Sequence, residues 1–322
     1  MQEKNSGAYL FVCFQNDENG KDIEKLFYGI SLDGYNFKAL NDNNPVFTSY
    51  LGTKHMRDPF IFKGEDGYFY LVATDMDHCC GWESQSTIVI YKTADLINFD
   101  DGIVVDYSEF KGFEDCNRAW APQIIWSPCH ENADGSKGAY MVYLTLQKKS
   151  TANTIGTVLY KNFATDLMDK NTYTIPEYLI SGEEKGEYQS VSAIDGDIIY
   201  DTVNKRWLMY FDGRRISQSV TGNVEGPYRE IQGSPFEVDK IEGSNIYKIY
   251  DKEKWIICAD GRAFGTGFRF AQTTDFVTYK QLINSIDYSL DFMPRHGYVI
   301  HITHEQFNVL MKKYGGNLNL SL

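Results

Sequence analysis

Three carboxylic acids sit at matching places in a repeated pattern: Asp58 in Arg57-Asp58-Pro59, Asp195 in Ala193-Ile194-Asp195 and Glu242 in Ile241-Glu242-Gly243. Each opens a short apolar run, DPFIF, DGDIIY or EGSNIY. Two more runs, QIIW from Gln123 and HGYVIHI from His296, add an amide and an imidazole to the series. Carboxyl groups brought together in this way suit cleavage of a glycosidic bond. One acid protonates the leaving oxygen, and one carboxylate activates water or attacks the sugar. A third carboxylate can hold the acid's pKa up through like-charge repulsion. Asp and Glu also cap turns, and that reading stays open for any one of them taken singly. Three buried carboxylates at equivalent repeat positions are different, because their repulsion costs stability unless a metal, a substrate or a proton relieves it.

Such residues lie 47 to 72 positions apart along the chain, so a repeated architecture must bring them together. The repeat is legible. Aromatic and β-branched strands bounded by Gly and Asp recur as AYLFVCFQ, GYFYLVATD, GAYMVYLTLQ, KRWLMYFDG and EKWIICADG. After each comes a strand running into a polar turn, plainest in YGISLDGYNF, YKTADLINF and FAQTTDFVTY. The run opened by His296 has no strand after it, and Ala8–Gln15 has no run before it, so the two incomplete units complement each other. The expected fold is all-β, a five-bladed β-propeller whose last blade is closed by N-terminal strands plus a C-terminal strand, with residues 1–322 as one catalytic domain. A β-sandwich is the alternative. Helical periodicity is confined to Thr303–Tyr314. In a propeller the first strand of each blade lines the axis, so the residues opening those strands should converge on one axial pocket.

Composition fits this reading. With 43% hydrophobic and 15% aromatic residues, 322 positions can bury a large core. The net charge of -13 repels phosphate backbones, which argues against nucleic acid and is compatible with an oligo- or polysaccharide. No apolar stretch is long enough for a membrane span. The six cysteines form no CxxC pair, so no zinc or redox motif is signalled; mostly free thiols are expected, with one disulfide as the alternative. Met1-Gln2-Glu3-Lys4-Asn5 lacks the basic and apolar regions of a secretory signal. The expected location is nevertheless extracytoplasmic, with a signal removed ahead of Met1, and the cytosol is the alternative.

The three carboxylate motifs, in this order, resemble the catalytic motifs of glycoside hydrolase family 43. Trp120-Ala121-Pro122 and Pro294-Arg295-His296-Gly297 match further family positions, and the resemblance covers nearly the whole chain. It implies an inverting hydrolase with Asp58 as general base, Asp195 as pKa modulator and Glu242 as general acid. No cofactor is required, though His296 matches an axial histidine beside a structural calcium ion or bound water. Val224-Glu225-Gly226-Pro227 resembles the acid motif more closely by letters, but it falls in an outer-strand turn, so Glu242 is preferred. Gln123 departs from the Asp that many members carry there and is expected to bind a sugar hydroxyl. Trp120, Asp75, Trp82 and Arg269 are further candidates for sugar binding, each with a core, turn or surface alternative. Within the family's range, α-L-arabinofuranosidase is favoured over β-xylosidase, β-D-galactofuranosidase, endo-arabinanase and a non-catalytic sugar-binding propeller.

Overall fold

A computed structural model describes residues 7–17, 19–179, 193–212, 216–231, 234–237, 240–261, 265, 267–318 and 320. They form five sheets ringed as a propeller. Blade 1 is built from Arg57–Lys63, Phe69–Thr74, Thr87–Thr93 and Ile103–Asp106. Blade 2 takes Cys116–Glu131, Lys137–Lys148, Val158–Ala164 and Glu177–Tyr178. Blade 3 takes Ile194–Asp201, Arg206–Asp212, Ile216–Thr221 and Arg229–Ile231, and blade 4 takes Glu242–Lys248, Trp255–Gly261, Gly267–Thr273 and Lys280–Gln281. In blade 5 the C-terminal strand Pro294–Ile302 is innermost and pairs antiparallel with Ala8–Asn16, Ala8 facing Ile302 and Gln15 facing Pro294. The ring therefore closes with N-terminal strands against a C-terminal one, as the two incomplete repeats imply.

Burial explains why the ring holds. The middle strands are buried on both faces, as Phe69–Thr74 and Trp255–Gly261 illustrate, because each blade packs against two neighbours. Five apolar cores result, one in each gap between adjacent blades. The helix His304–Tyr314 starts at a capping box formed by Thr303 and Gln306, and it seats Phe307, Leu310 and Tyr314 in the core between blades 5 and 1. Among the described residues, no helix is long and apolar enough to cross a membrane. All six cysteines are free thiols.

The innermost strands share one irregularity that sets the active centre. Each skips two residues in its pairing, between Arg57 and Phe60, Trp120 and Gln123, Ile194 and Asp197, Glu242 and Asn245, and Arg295 and Tyr298. The first skipped residue has positive φ in every blade: Asp58 at 48°, Ala121 at 46°, Asp195 at 55°, Gly243 at 57° and His296 at 36°. Outside glycine this conformation is strained, and bulges of this kind re-aim side chains beside active sites. The bulges also correct the alignment of the repeats. Gln123 is equivalent not to Asp58 but to Phe60, Asp197, Asn245 and Tyr298, one layer deeper along the axis. Glu242 lies one residue before the bulge, level with Arg57, Trp120 and Arg295. The misreading arose because the first strand of blade 2 starts at Cys116, well before the apolar run that marks it in the sequence.

Candidate active site

A cavity of about 470 Å³ opens at one end of the axis. Asp58, Asp195, Glu242 and His296 all line it, so the structure brings the three carboxyls and the imidazole together. His296 stands at their centre. Its Nδ1 lies 3.0 Å from Asp58 Oδ1, and its Nε2 lies 3.4 Å from Glu242 Oε1 and 3.7 Å from Asp195 Oδ2. Asp58 is fixed from its other oxygen by Thr74 Oγ1 at 2.7 Å, and that hydroxyl also receives the N–H of Ala121. Asp195 Oδ2 accepts the N–H of Gly243 at 3.2 Å. A Cβ at Gly243 would sit 2.7 Å from the imidazole Cγ, so glycine is what lets the ring reach the carboxylates.

The protons are unevenly shared. Burial, with the charges of Glu242 and Asp58 adding to it and His296 opposing, pushes Asp195 up to about 8. Asp212, at the end of the neighbouring strand, is pushed to about 7 by burial and by Glu242. For Glu242 burial acts upward too, but hydrogen bonding and attraction from His296, joined by Arg295, outweigh it and leave the carboxyl below its usual range. His296 runs the other way. Burial disfavours its cation, yet Asp58, Asp195 and Glu242 together raise it to about 10, so it is an imidazolium at neutral pH. Burial thus favours the protonated form of Asp195, the surrounding carboxyls favour the cation of His296, and Glu242 leans toward its charged form.

The expected sugar contacts divide. Trp120 and Trp82 both line the cavity, edge to face with ring centroids 6.0 Å apart, and Trp82 is 53% exposed. Arg118 lies over the Trp120 ring and pairs with Glu83, bracing this aromatic wall from behind. Gln123 does not line this cavity. It lines an adjoining axial cavity of about 30 Å³ that shares Asp58, Asp195 and His296 with it, and its amide oxygen accepts the Tyr143 hydroxyl at 2.6 Å. Asp75 does not line the cavity either. It is buried, with one oxygen accepting Thr53 N and Oγ1 and the other Thr87 Oγ1, and it clamps the loop before blade 1. Arg269 lies on the third strand of blade 4 opposite Ala259, about two ladder spacings from the axis, and is not among the cavity-lining residues. Glu225 is away from the cavity, in the outer turn of blade 3, where it accepts Ser127 Oγ.

The calcium ion implied at the axis does not fit the residues around His296. Ca²⁺ takes six to eight oxygens at about 2.3–2.6 Å. Here both ring nitrogens face carboxylates, and the imidazolium already supplies the positive charge between them.

Other residues of the site were not singled out from the sequence. Arg57 and Arg295 are nearly buried and meet at Asp22: the NH1 groups of both donate to it. Arg295 also binds Asp260 through Nε at 2.6 Å and Glu242 through NH2 at 3.0 Å, while Arg57 binds Glu24 at 2.9 Å. Attraction to Arg57 and Arg295 outweighs burial and lowers Asp22. A signal for the arginines existed, since each immediately precedes an axial residue, as Arg57-Asp58 and Arg295-His296. Asp22 and Glu24 lie in the N-terminal hairpin strand with no repeat equivalent, and nothing in the sequence marked them.

A propeller whose axial mouth gathers three carboxyls around an imidazolium, walled by tryptophan, has the parts of a hydrolase acting on glycosidic bonds. Comparison with known proteins agrees. The family model described as "Probable glycosyl hydrolase domain", of the glycosyl hydrolase 43-related group, matches residues 4–308, and the chain belongs to this family. It is a glycoside hydrolase of the propeller type. An α-L-arabinofuranosidase of Bifidobacterium longum subsp. longum is 24% identical over 152 residues, a stretch covering 43% of this chain and only 13% of that protein. Among solved structures, an α-L-arabinanase of Cellvibrio cellulosa with arabinohexaose aligns at TM-score 0.54 and 13% identity, covering 88% of this chain and 93% of that one. The catalytic domain of a family 62 α-L-arabinofuranosidase from Coprinopsis cinerea aligns at 0.51 and 14%, covering 78% and 75%. These structural likenesses concern the fold. Hydrolases of this kind work with carboxyl groups and generally need no cofactor.

Proposed function

We propose that the protein is an inverting, exo-acting glycosidase that removes single pentofuranosyl units, an α-L-arabinofuranosidase. The observation that carries this reading is the meeting of Asp58, Asp195 and Glu242 around His296 in one cavity. Asp58 is the general base and Glu242 the general acid. They contact different nitrogens of the same ring, which sets their carboxyls on opposite sides of it; inversion needs a separation of about 6.5–9.5 Å to admit a water. Asp195 modulates the acid. Its proton lies one imidazole contact from Glu242, and a sugar that seals the pocket and loosens the Arg295 pair raises Glu242 enough to take it up. Exo action is supported by Met76, His78 and Trp82, which bring the loop after Thr74 up as a wall of the cavity where an endo-acting enzyme needs an open groove. The sugar is suggested by the named activity of the bifidobacterial relative. An extracytoplasmic location would suit a polysaccharide substrate.

One observation favours a second reading, with Asp195 itself as the acid: it is the carboxyl that holds a proton at neutral pH, whereas Glu242 does not. Comparing leaving groups separates the two. Loss of a general acid costs about 10²–10⁴-fold on a poor leaving group, and much less on an aryl glycoside whose phenolate needs no protonation. Glu242→Gln is expected to show this split with arabinofuranosides, and Asp195→Asn to lose both substrates alike. The reverse pattern would move the acid to Asp195. Proton NMR of the first-formed anomer tests inversion, and a retained product would overturn it. Aryl xylopyranosides and galactofuranosides, assayed in parallel, test the sugar.

A further inference from the structure

A second cluster lies at the rim of the cavity, outside the acid–base machinery, and independent of which sugar is cleaved. Its core is Glu24, a carboxylate whose side chain is only 2% exposed. One of its oxygens, Oε2, is 2.8 Å from His55 Nδ1, and the other, Oε1, is 2.9 Å from His78 Nδ1. Both histidines thus present Nδ1 to the same buried anion and turn Nε2 the other way. A carboxylate behind each imidazole is the usual support of metal-ligating histidines.

The free ends face a common set of donors. His55 Nε2 is 3.8 Å from Asp77 Oδ2, and His78 Nε2 is 3.7 Å from Cys79 Sγ. The latter is close to the S–N edge of about 3.6 Å that follows from Zn–S and Zn–N bonds of about 2.3 and 2.0–2.1 Å at a tetrahedral angle. Asp77 Oδ1 caps the short helical turn His78–Cys80 through Cys79 N, and Oδ2 faces His55 and the Cys80 thiol, which lies 3.7 Å from it. Asp77, His78 and Cys79 have ligand atoms within 4.8 Å of one another, and Asp77 also belongs to the triad with Glu24 and His55. Cys79 is exposed and the His55 side chain is 42% exposed, so both have room to turn toward a shared ion.

We propose that His55 Nε2, Asp77 Oδ2, His78 Nε2 and the Cys79 thiolate form a tetrahedral site for a transition-metal dication of the zinc class, with Glu24 orienting both histidines. Sulfur and imidazole select a borderline-soft ion over calcium or magnesium. On binding, the Cys79 thiol gives its proton to solvent and each histidine coordinates through an unprotonated Nε2. The ion would pin the segment 77–79 to the loop before blade 1, and Trp82 follows three residues later.

Cobalt(II) titration of chelator-treated, full-length protein under a phosphine reductant reads the site without any turnover. The expected result is one equivalent of Co²⁺ per chain, with a thiolate-to-cobalt charge-transfer band, intense tetrahedral d–d bands, and displacement by Zn²⁺. The carboxylates around His296 contain no sulfur and cannot give that band. Cys79→Ser should abolish it, His55→Ala should weaken the d–d bands, and Glu24→Gln should lower affinity about 10–100-fold. Absence of the band in the wild type at stoichiometric cobalt would overturn the proposal. So would its survival in Cys79→Ser, checked by circular dichroism to be folded, or its loss only in Cys80→Ser.

Discussion

The propeller repeats aspartate in two places with opposite results. In the outer turns, Asp33, Asp95 and Asp275 each follow a Ser or Thr by two residues and accept the N–H groups two and three residues ahead at 2.7–2.9 Å. Burial alone would raise them, but these donors outweigh it: all three are lowered, Asp275 to about 2. At the axis, Asp195 accepts one backbone N–H and faces two other carboxyls, while Asp197, one layer down, is sealed in the core. Burial dominates there, and both rise to about 8. Repetition is thus not what marks a functional carboxylate in this fold, since the turn aspartates repeat as regularly. The distinction lies in whether backbone donors satisfy the charge or other acids and a low-dielectric pocket oppose it.

Substitutions can break that contrast. The largest effect is expected at the axis: Asp58→Asn should cut turnover of a natural glycoside by at least about 10²-fold with the fold retained, read by initial rates and circular dichroism. Gly243→Ala comes next. It places a Cβ against the His296 ring at a positive φ, so the imidazolium must move; both activity and about 1–3 kcal/mol of stability should be lost. Gly20→Ala, also at positive φ but with open space around it, serves as the control for backbone strain alone.

The pH dependence of stability sharpens the comparison. Between its unfolded value near 3.8 and about 8, Asp197 binds a proton in the folded chain that the unfolded chain has released, so its contribution falls as pH rises through that window. Asp197→Asn should therefore raise the melting temperature relative to wild type, by a margin that grows from pH 5 to about 8. Asp275 has the opposite sign: its contribution is present above 3.8 and is lost as pH falls toward 2, so Asp275→Asn should flatten the acid limb. The smallest effect is expected for Asp275→Ala at neutral pH, about 1 kcal/mol in denaturant unfolding with kcat and KM unchanged. A change in KM there would contradict its assignment to a turn.

Much of this was legible in the chain itself. Strand periodicity, five repeats and two half-units that complete one another specify a closed ring, because local alternation and turn chemistry are short-range properties. The motifs around Asp58, Asp195, Glu242 and His296 marked the residues that meet, and Glu225, read from the sequence as part of an outer turn, lies outside the cavity lining. Residue letters alone do not carry register. The bulges that give Asp58 and His296 positive φ decide which layer faces the cavity, and they moved Gln123 beneath it. Whether a polar side chain is satisfied is equally a three-dimensional matter: Asp75 is absorbed by Thr53 and Thr87, which approach it from two other segments. The electrostatics, too, belong to the assembled ring. Burial raises Asp195, while His296 and Arg295, from the far end of the chain, lower Glu242, so only the packed ring sets the two carboxyls apart.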